Sequence, residues 1–356
     1  MAEAFAEMGH DVTFATVQGI NWALVHRIFG KVPRVREIRL SPVASLLPYT
    51  YQIPSSILRF RKISREFDLT INTQGECVPA PADMLYIQGG FMFTISRHSD
   101  VYQAWHDSFP SWSYATHRAY FTPYAWFFDR TIDEAVQDSS VLLTNSSYSA
   151  KIVELETGIT PEVLYPPVDI ERFSCPTSAP KENLIITVGR FSPDKRYELI
   201  PRLARLCPEY DFAVVGTVTS RSTLDALKRQ VSAIGASNVS LLVDLPVAEL
   251  RRLYSRAKFY LHTKIGECFG ITVVEAMSSS CVPIVPRSGG PWWDIVQRGK
   301  YGIGYSNEQE AAESIRKLDG VRYEDMKALA KQRSGSFSNS SFKKNLLEFA
   351  DSSARN

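Results

Sequence analysis

The stretch GECFGITVVEAM, residues 266–277, places two carboxylates, Glu267 and Glu275, on either side of a glycine and the start of a helix. Gly270 allows the backbone to come close to a ligand. A helix expected from about Thr272 offers unpaired N–H groups and the positive end of its dipole, which together suit an anion. Glu267 is expected on the loop and Glu275 in the first helical turn. Carboxylates beside an anion site do not bind the anion; they accept hydrogen bonds from neutral hydroxyls. The pattern therefore fits a ligand that is part diphosphate and part sugar. A second stretch, VGRFSPDKR at 188–196, flanks a Ser-Pro-Asp turn with Arg190 and Lys195. It follows an expected strand, at the carboxyl end where α/β sheets bind ligands. Two cations there suit a diphosphate leaving group and remove the need for a metal ion.

Each of these residues also has an ordinary structural use. Glu267 reads as a surface charge, Glu275 as an acid near a helix N-terminus, and Lys195 as a solvated turn lysine. Gly289-Gly290-Pro291 either opens a helix with proline at its first position or lines the ligand. Asp294 reads as a first-turn helix acid. What raises the ligand reading is that the basic pair and the two glutamates occur in one block and in this order.

The elements that must position them alternate. Strands are expected at 11–16, 68–73, 83–88, 139–146 and 162–169, the last stopped by Pro166-Pro167. The pattern then restarts, with strands at 184–189, 211–216, 239–243, 258–262 and 282–285 and helical segments such as YELIPRLARL and TLDALKRQVSAIG between them. This alternation predicts an α/β protein of two Rossmann-like domains, 1–167 and 168–337, hinged at the paired prolines, with a C-terminal helix at 338–356. Residue 1 falls within a helix-like stretch, AEAFAEMGH, so the opening strand of the first domain and its glycine turn are expected to be absent. The Ser-rich RSGSFSNSSF at 333–342 reads as a linker into the last helix.

Composition excludes several classes. The net charge of +2 is too small for bulk nucleic-acid binding. No apolar run approaches the roughly 18–20 residues of a membrane span, and the N-terminus has no signal-peptide pattern. The cysteines Cys77, Cys175, Cys207, Cys268 and Cys281 are odd in number and widely spaced, which reads as reduced thiols in a cytoplasmic protein rather than a disulfide frame or zinc site. No G-x-G-x-x-G follows a strand, which argues against a dinucleotide-dependent dehydrogenase.

GRFSPDKR, GECFGITVVEAM and PIVPRSGGPWWDIV together resemble glycosyltransferase family 4, retaining enzymes of the GT-B fold in which two Rossmann-like domains face a cleft. With NSSYSAKIVELETGITPEVLYPPVD at 145–169, the block is most similar to the branch of dolichol-linked oligosaccharide α-1,2-mannosyltransferases. The resemblance implies a metal-independent hexosyltransferase without a cofactor. Its co-substrate would be a nucleotide diphosphate sugar, GDP-mannose first, and its acceptor a glycan or polyprenyl-linked glycan. Arg190 and Lys195 match the family's basic pair on the donor diphosphate, and Glu267 the glutamate at the donor sugar. Phe269, Gly270 and Ile271 match the backbone under sugar and phosphates. Glu275 matches the glutamate on the ribose hydroxyls, and Gly289 and Gly290 line the donor. The resemblance also implies that the final helix, about 341–350, crosses back onto the first domain. The base-reading loop is expected near 241–250. The chain departs from the family at Gln88, before Gly89-Gly90, where a histidine is frequent; His98 is a substitute with no assigned place. The aromatic-rich stretch at 101–130, with His106, His117, Arg118 and Arg130, packs in the first domain or meets a membrane or polyprenyl surface, which would make the protein peripheral on the cytoplasmic membrane face. Two other readings stay open: a nucleotide-sugar 2-epimerase of the same fold, and a catalytically silent sugar-nucleotide-binding subunit.

Overall fold

The computed structural model describes residues 1–29, 35–41, 49–75, 77–89, 114–318 and 320–353. Gly90, His98, His106 and residues 101–113 of the aromatic stretch lie outside them, as do the side chains at 114–125, which include His117 and Arg118.

In chain order the helices are α1 (Ala2–Glu7), α2 (Trp22–Phe29), α3 (Tyr49–Ile63), α4 (Tyr114–Gln137), α5 (Ser147–Thr157), α6 (Ile170–Phe173), α7 (Leu199–Leu206), α8 (Arg221–Ile234), α9 (Val247–Arg256), α10 (Ile271–Ser278), α11 (Glu308–Lys317), α12 (Gly320–Ser334) and α13 (Asn339–Ser353). The strands are β1 (Thr13–Thr16), β2 (Arg36–Arg39), β3 (Ile71–Asn72), β4 (Met84–Ile87), β5 (Val141–Thr144), β6 (Glu162–Val163), β7 (Glu182–Val188), β8 (Asp211–Gly216), β9 (Val239–Val243), β10 (Ala257–Leu261), β11 (Val282–Pro286) and β12 (Ile303–Tyr305). They fall into two compact units. The first comprises Met1–Asn145, Ser149–Leu164 and the chain from Lys343 onward; the second comprises Ser146–Tyr148 and Tyr165–Phe342.

In the first unit β1 pairs with β2 in parallel, and β3-β4-β5-β6 form a parallel sheet. β4 is buried throughout, as a strand covered on both faces must be. Leu85 and Ile87 join Ile53, Phe128 and Ile132 in its core. The chain opens on α1, and β1 is the first strand among the described residues. Lys343 of α13 pairs with Glu7 of α1 at 2.7 Å.

The second unit holds a six-stranded sheet in the order β12-β11-β10-β7-β8-β9, parallel throughout. Side chains alternate across it. Ile185, Phe259 and Ile284 pack with Leu203, Leu224 and Ile315 on one face. Ile186, Tyr260 and Val285 pack with Val273, Val274 and Met277 of α10 on the other. From β7 the order runs outward to β8 and β9 on one side and, after β10, to β11 and β12 on the other. The topological switch therefore lies between β7 and β10, and its carboxyl edge is where such sheets bind ligands.

Two expectations need correction. The Ser-rich segment at 333–342 is no linker: α12 runs to Ser334, a single 3₁₀ turn spans Gly335–Phe337, and α13 starts at Asn339. Phe337 is buried, and the Ser338 hydroxyl accepts from Ser341 N, so the serines turn the corner and cap the next helix. Two strands escaped the pattern. β2 reads REIR, too charged for a half-buried strand, and β12 reads IGY, too short and broken by glycine.

Candidate functional site

The loop after β7 and the loop after β10 bring the sequence-predicted cations and carboxylates together at the switch. Gly189 follows β7 directly. A Cβ there would stand 2.7 Å from the Tyr197 hydroxyl, and one at Gly216 would stand 1.7 Å from Gly189 O, a backbone atom, so Gly216 excludes a side chain and Gly189 crowds one. Pro193–Lys195 then make a 3₁₀ turn that ends on Arg196 in the left-handed region. The Ser192 hydroxyl bonds to Asp194 at 2.5 Å. The turn aims Lys195 at Glu267, with Nζ–Oε2 at 2.8 Å and both side chains 17% exposed. The Thr263 hydroxyl donates to Lys195 O and ties this loop to the one after β10.

That second loop carries more than the glutamate. Lys264 Nζ lies 3.3 Å from the other Glu267 oxygen and 3.7 Å from Asp194. His262, 4% exposed, places Nε2 3.9 Å from Glu267 Oε2. Burial by itself would raise the Glu267 carboxyl, but Lys195 and Lys264 outweigh it and hold the group down at about 2. Burial pushes His262 down to about 4, and the two lysines add to the effect, so the imidazole is neutral. Burial also opposes the Lys264 charge, but Glu267 and Asp194 overcome it and raise its pKa. His262 and Lys264 escaped the sequence reading. Their signal was position alone, in HTKIGE directly after β10. Arg190 is exposed and, among the described residues, forms no ion pair.

α10 begins at Ile271 after Gly270, whose φ is 102°. No side chain caps its start, and Ile271 is exposed. Glu275 is its fifth residue, so it stands in the second turn and not the first as expected, because the helix starts at Ile271. Its side chain accepts from the Tyr254 hydroxyl at 3.3 Å. Burial pushes the Glu275 carboxyl up to about 7, and the bond from Tyr254 recovers only part of the shift. Tyr254 was not legible as a partner, since it arrives on α9 from elsewhere in the chain.

Phe269 offers backbone only. Its ring is buried against Tyr165 and Phe337. Gly289 and Gly290 press on the Glu267 loop. A Cβ at Gly289 would stand 2.5 Å from Glu267 O, one at Gly290 would stand 2.2 Å from Cys268 O, and Gly290 N donates to Glu267 O at 2.8 Å. The glycine pair thus sets the height of the loop that carries Glu267. Asp294 sits in the π-helical turn Pro291–Ile295, buried, and accepts from Ser147 N at 2.8 Å and the Tyr165 hydroxyl at 3.1 Å. In the first unit, Gln88 donates to Thr73 O at 3.2 Å, which holds the strand ends of β3 and β4 together.

Residues 170–332 match the family model described as "Glycosyl transferases group 1". Among curated proteins, the chain is 27% identical over 236 residues to the GDP-Man:Man(3)GlcNAc(2)-PP-Dol alpha-1,2-mannosyltransferase of Dictyostelium discoideum, covering 59% of this chain and 47% of that one. It is 30% identical over 199 residues to the protein of the same name from Homo sapiens, covering 50% and 40%. The chain therefore spans less than half the length of these relatives. Among solved structures, HepE of Anabaena in complex with UDP and glucose superposes with a TM-score of 0.70 at 16% identity, covering 99% of this chain and 94% of that one. WaaG, a glycosyltransferase involved in lipopolysaccharide biosynthesis, gives 0.64 at 15%, covering 97% and 92%. These likenesses show the fold, the two-Rossmann GT-B architecture.

Proposed function

We propose, from the premise that residues 170–332 are a group 1 glycosyltransferase domain, that the chain transfers a hexose from a nucleotide diphosphate sugar to a glycan or lipid-linked glycan, with retention. The observation that carries this reading is the cluster of Lys195, Lys264, Glu267 and His262 at the switch between β7 and β10, with the start of α10 following directly. The relatives' names support mannose as the hexose, GDP as the carrier and a dolichol-linked glycan as the acceptor. They also favour transfer over epimerisation. Among the described residues no helix is long and apolar enough to cross a membrane.

Arg190 and Lys195 take the diphosphate. Lys195, held on Glu267 at 2.8 Å, turns its three donors to the phosphate oxygens when the diphosphate arrives. The free amides at the start of α10 add to the same charge. Glu267, ionised throughout the physiological range, accepts from hexose hydroxyls. Glu275 accepts from the ribose hydroxyls as a carboxylate. Phe269, Gly270 and Ile271 offer backbone, and Gly289-Gly290 hold the loop at the height the sugar needs. The stretch 241–250, which runs from the end of β9 through residues 244–246 into the first turn of α9, reads the base. In the transfer the bond from the anomeric carbon to the leaving phosphate oxygen breaks, and a bond to the acceptor oxygen forms on the same face. The acceptor proton passes to the leaving phosphate. The protein contributes position and charge stabilisation of the diphosphate.

The test is incubation with GDP-mannose and a short polyprenyl-diphosphate glycan, with the product's anomeric configuration read by NMR. An α-mannosyl product supports the reading. A β-product refutes retention. Release of free mannose epimer without acceptor consumption supports the epimerase.

A further inference from the structure

One polar atom in this cluster has no use in the scheme above. His262 Nε2 is buried without a hydrogen-bond partner, 3.9 Å from Glu267 Oε2. Such an atom is costly to leave unpaired in a folded protein, and its position beside a functional carboxylate calls for a reason. The ring is held in place through its own backbone. His262 N donates to Ile284 O at 2.8 Å and the Tyr305 hydroxyl donates to His262 O at 2.8 Å. A bare ring nitrogen facing a carboxylate oxygen would be repelled by it, so the facing nitrogen of this neutral ring is the one assigned the proton.

We infer that His262 is a positioning residue that takes over Glu267 when a diphosphate draws Lys195 away. The inference rests on the donor site proposed above. In the structure Glu267 Oε2 is held by Lys195 at 2.8 Å, and the imidazole nitrogen stands 3.9 Å away, just beyond bonding distance. Moving the ammonium onto phosphate strips Oε2 of its donor in a largely buried place. A shift of about 1 Å then brings the same oxygen to an N–H distance typical of a hydrogen bond. Lys264 keeps the other oxygen, at 3.3 Å, so the carboxylate pivots and does not drift. Glu267 remains ionised and fixed while it accepts the hexose hydroxyls, and the lysine is released for charge work. No proton changes owner; only hydrogen-bond partners do.

The experiment is a double-mutant cycle on binding of GDP-mannose to the full chain by calorimetry, with His262→Phe, His262→Gln and Glu267→Gln. Gln keeps an N–H near the position of Nε2. His262→Phe is expected to weaken binding roughly tenfold or more, the scale of a hydrogen bond to a charged group. His262→Gln is expected to recover most of that loss. In the Glu267→Gln background, His262→Phe is expected to change binding less than about twofold, because the partner it serves is gone. A merely structural histidine gives additive losses and no rescue by Gln, which overturns the inference while leaving donor binding intact. No binding of any sugar nucleotide by the unmutated protein overturns the inference and the donor site together. Should His262→Phe fail to fold, ¹⁵N NMR of the unmutated protein decides. A protonated Nε2 whose resonance moves on adding GDP-mannose is expected, and an unprotonated Nε2 overturns the inference.

Discussion

Replacing Glu275 by glutamine should make the second unit more stable at pH 8 and unable to respond to the donor. Its carboxyl is pushed by burial from an ordinary 4.5 to about 7, with only the Tyr254 hydroxyl in direct support. A carboxyl whose folded pKa lies above its unfolded value binds its proton more tightly when folded. Its contribution is full below the unfolded value near 4.5 and is lost as pH rises through about 7. The span is worth about 3 kcal/mol at 1.36 kcal/mol per unit. The amide introduced by Glu275→Gln accepts from Tyr254 in the same place and carries no charge to desolvate. Glu275→Gln should therefore match the unmutated protein at pH 4.5 and exceed it by up to about 3 kcal/mol at pH 8, on the order of 10 °C in melting temperature for a unit of this size. Thermal melts across pH 4.5–8 measure the gap, and it should open through that window and level off above it. A gap that is independent of pH, or a variant less stable than its parent at pH 8, refutes the claim that Glu275 is a carboxylate held against its burial. A natural chain that keeps so costly a group gains from it elsewhere, and the proposed donor site, where Glu275 accepts ligand hydroxyls, would supply that gain.

Several other outcomes follow from the same geometry. Donor binding that requires Glu275 as a carboxylate should be roughly tenfold weaker at pH 6 than at pH 8 by isothermal titration, because only about a tenth of the sites are then competent. Glu267 works in the opposite sense. Its pKa of about 2 gives stability that is present above 4.5 and lost as pH falls toward 2. Glu267→Gln should thus flatten acid unfolding by up to about 3 kcal/mol, read from urea midpoints between pH 2 and 5. Lys195→Met removes one of two cations on Glu267 and should cost about 1.5–3 kcal/mol in urea unfolding, together with the thermal response to nucleoside diphosphates. Gly290→Ala drives a Cβ to 2.2 Å from Cys268 O, where backbone cannot yield, and should destabilise by about 2–4 kcal/mol in the same urea titrations. Gly335→Ala meets nothing within 4 Å and should be close to neutral.

Much of this was legible in the chain because it rests on local pattern. Strands such as DFAVVG and VPIV have the apolar runs of a doubly covered parallel sheet, and they fold where those runs lie. REIR was not legible, since its pairing with β1 and not its own composition makes it a strand. The Ser-rich corner at 333–342 shows the reverse failure: polar residues that suggest a linker serve as a cap, and buried Phe337 was the contrary sign. Within the site, Lys195 and Glu267 could be paired on paper because a turn and a glycine loop each follow a strand. His262 and Lys264 could not, because their importance depends on β10 lying beside β7, a fact of sheet order. The raised carboxyl at Glu275 comes from burial, with part of the shift recovered by the Tyr254 hydroxyl, and no spacing encodes either. Gly289-Gly290 was readable as a special pair. That it presses against the loop carrying Glu267 required coordinates.

The most direct measurement is thermal stabilisation of this chain by GDP, UDP, ADP and their sugars, alongside Lys195→Met and Glu275→Ala. A donor site at these residues predicts that one base raises the melting temperature with its diphosphate and more with its sugar, and that both variants lose the shift. If no nucleotide shifts the protein, or if the shift survives in both variants, the donor does not bind at Lys195 and Glu275 and the central claim is wrong.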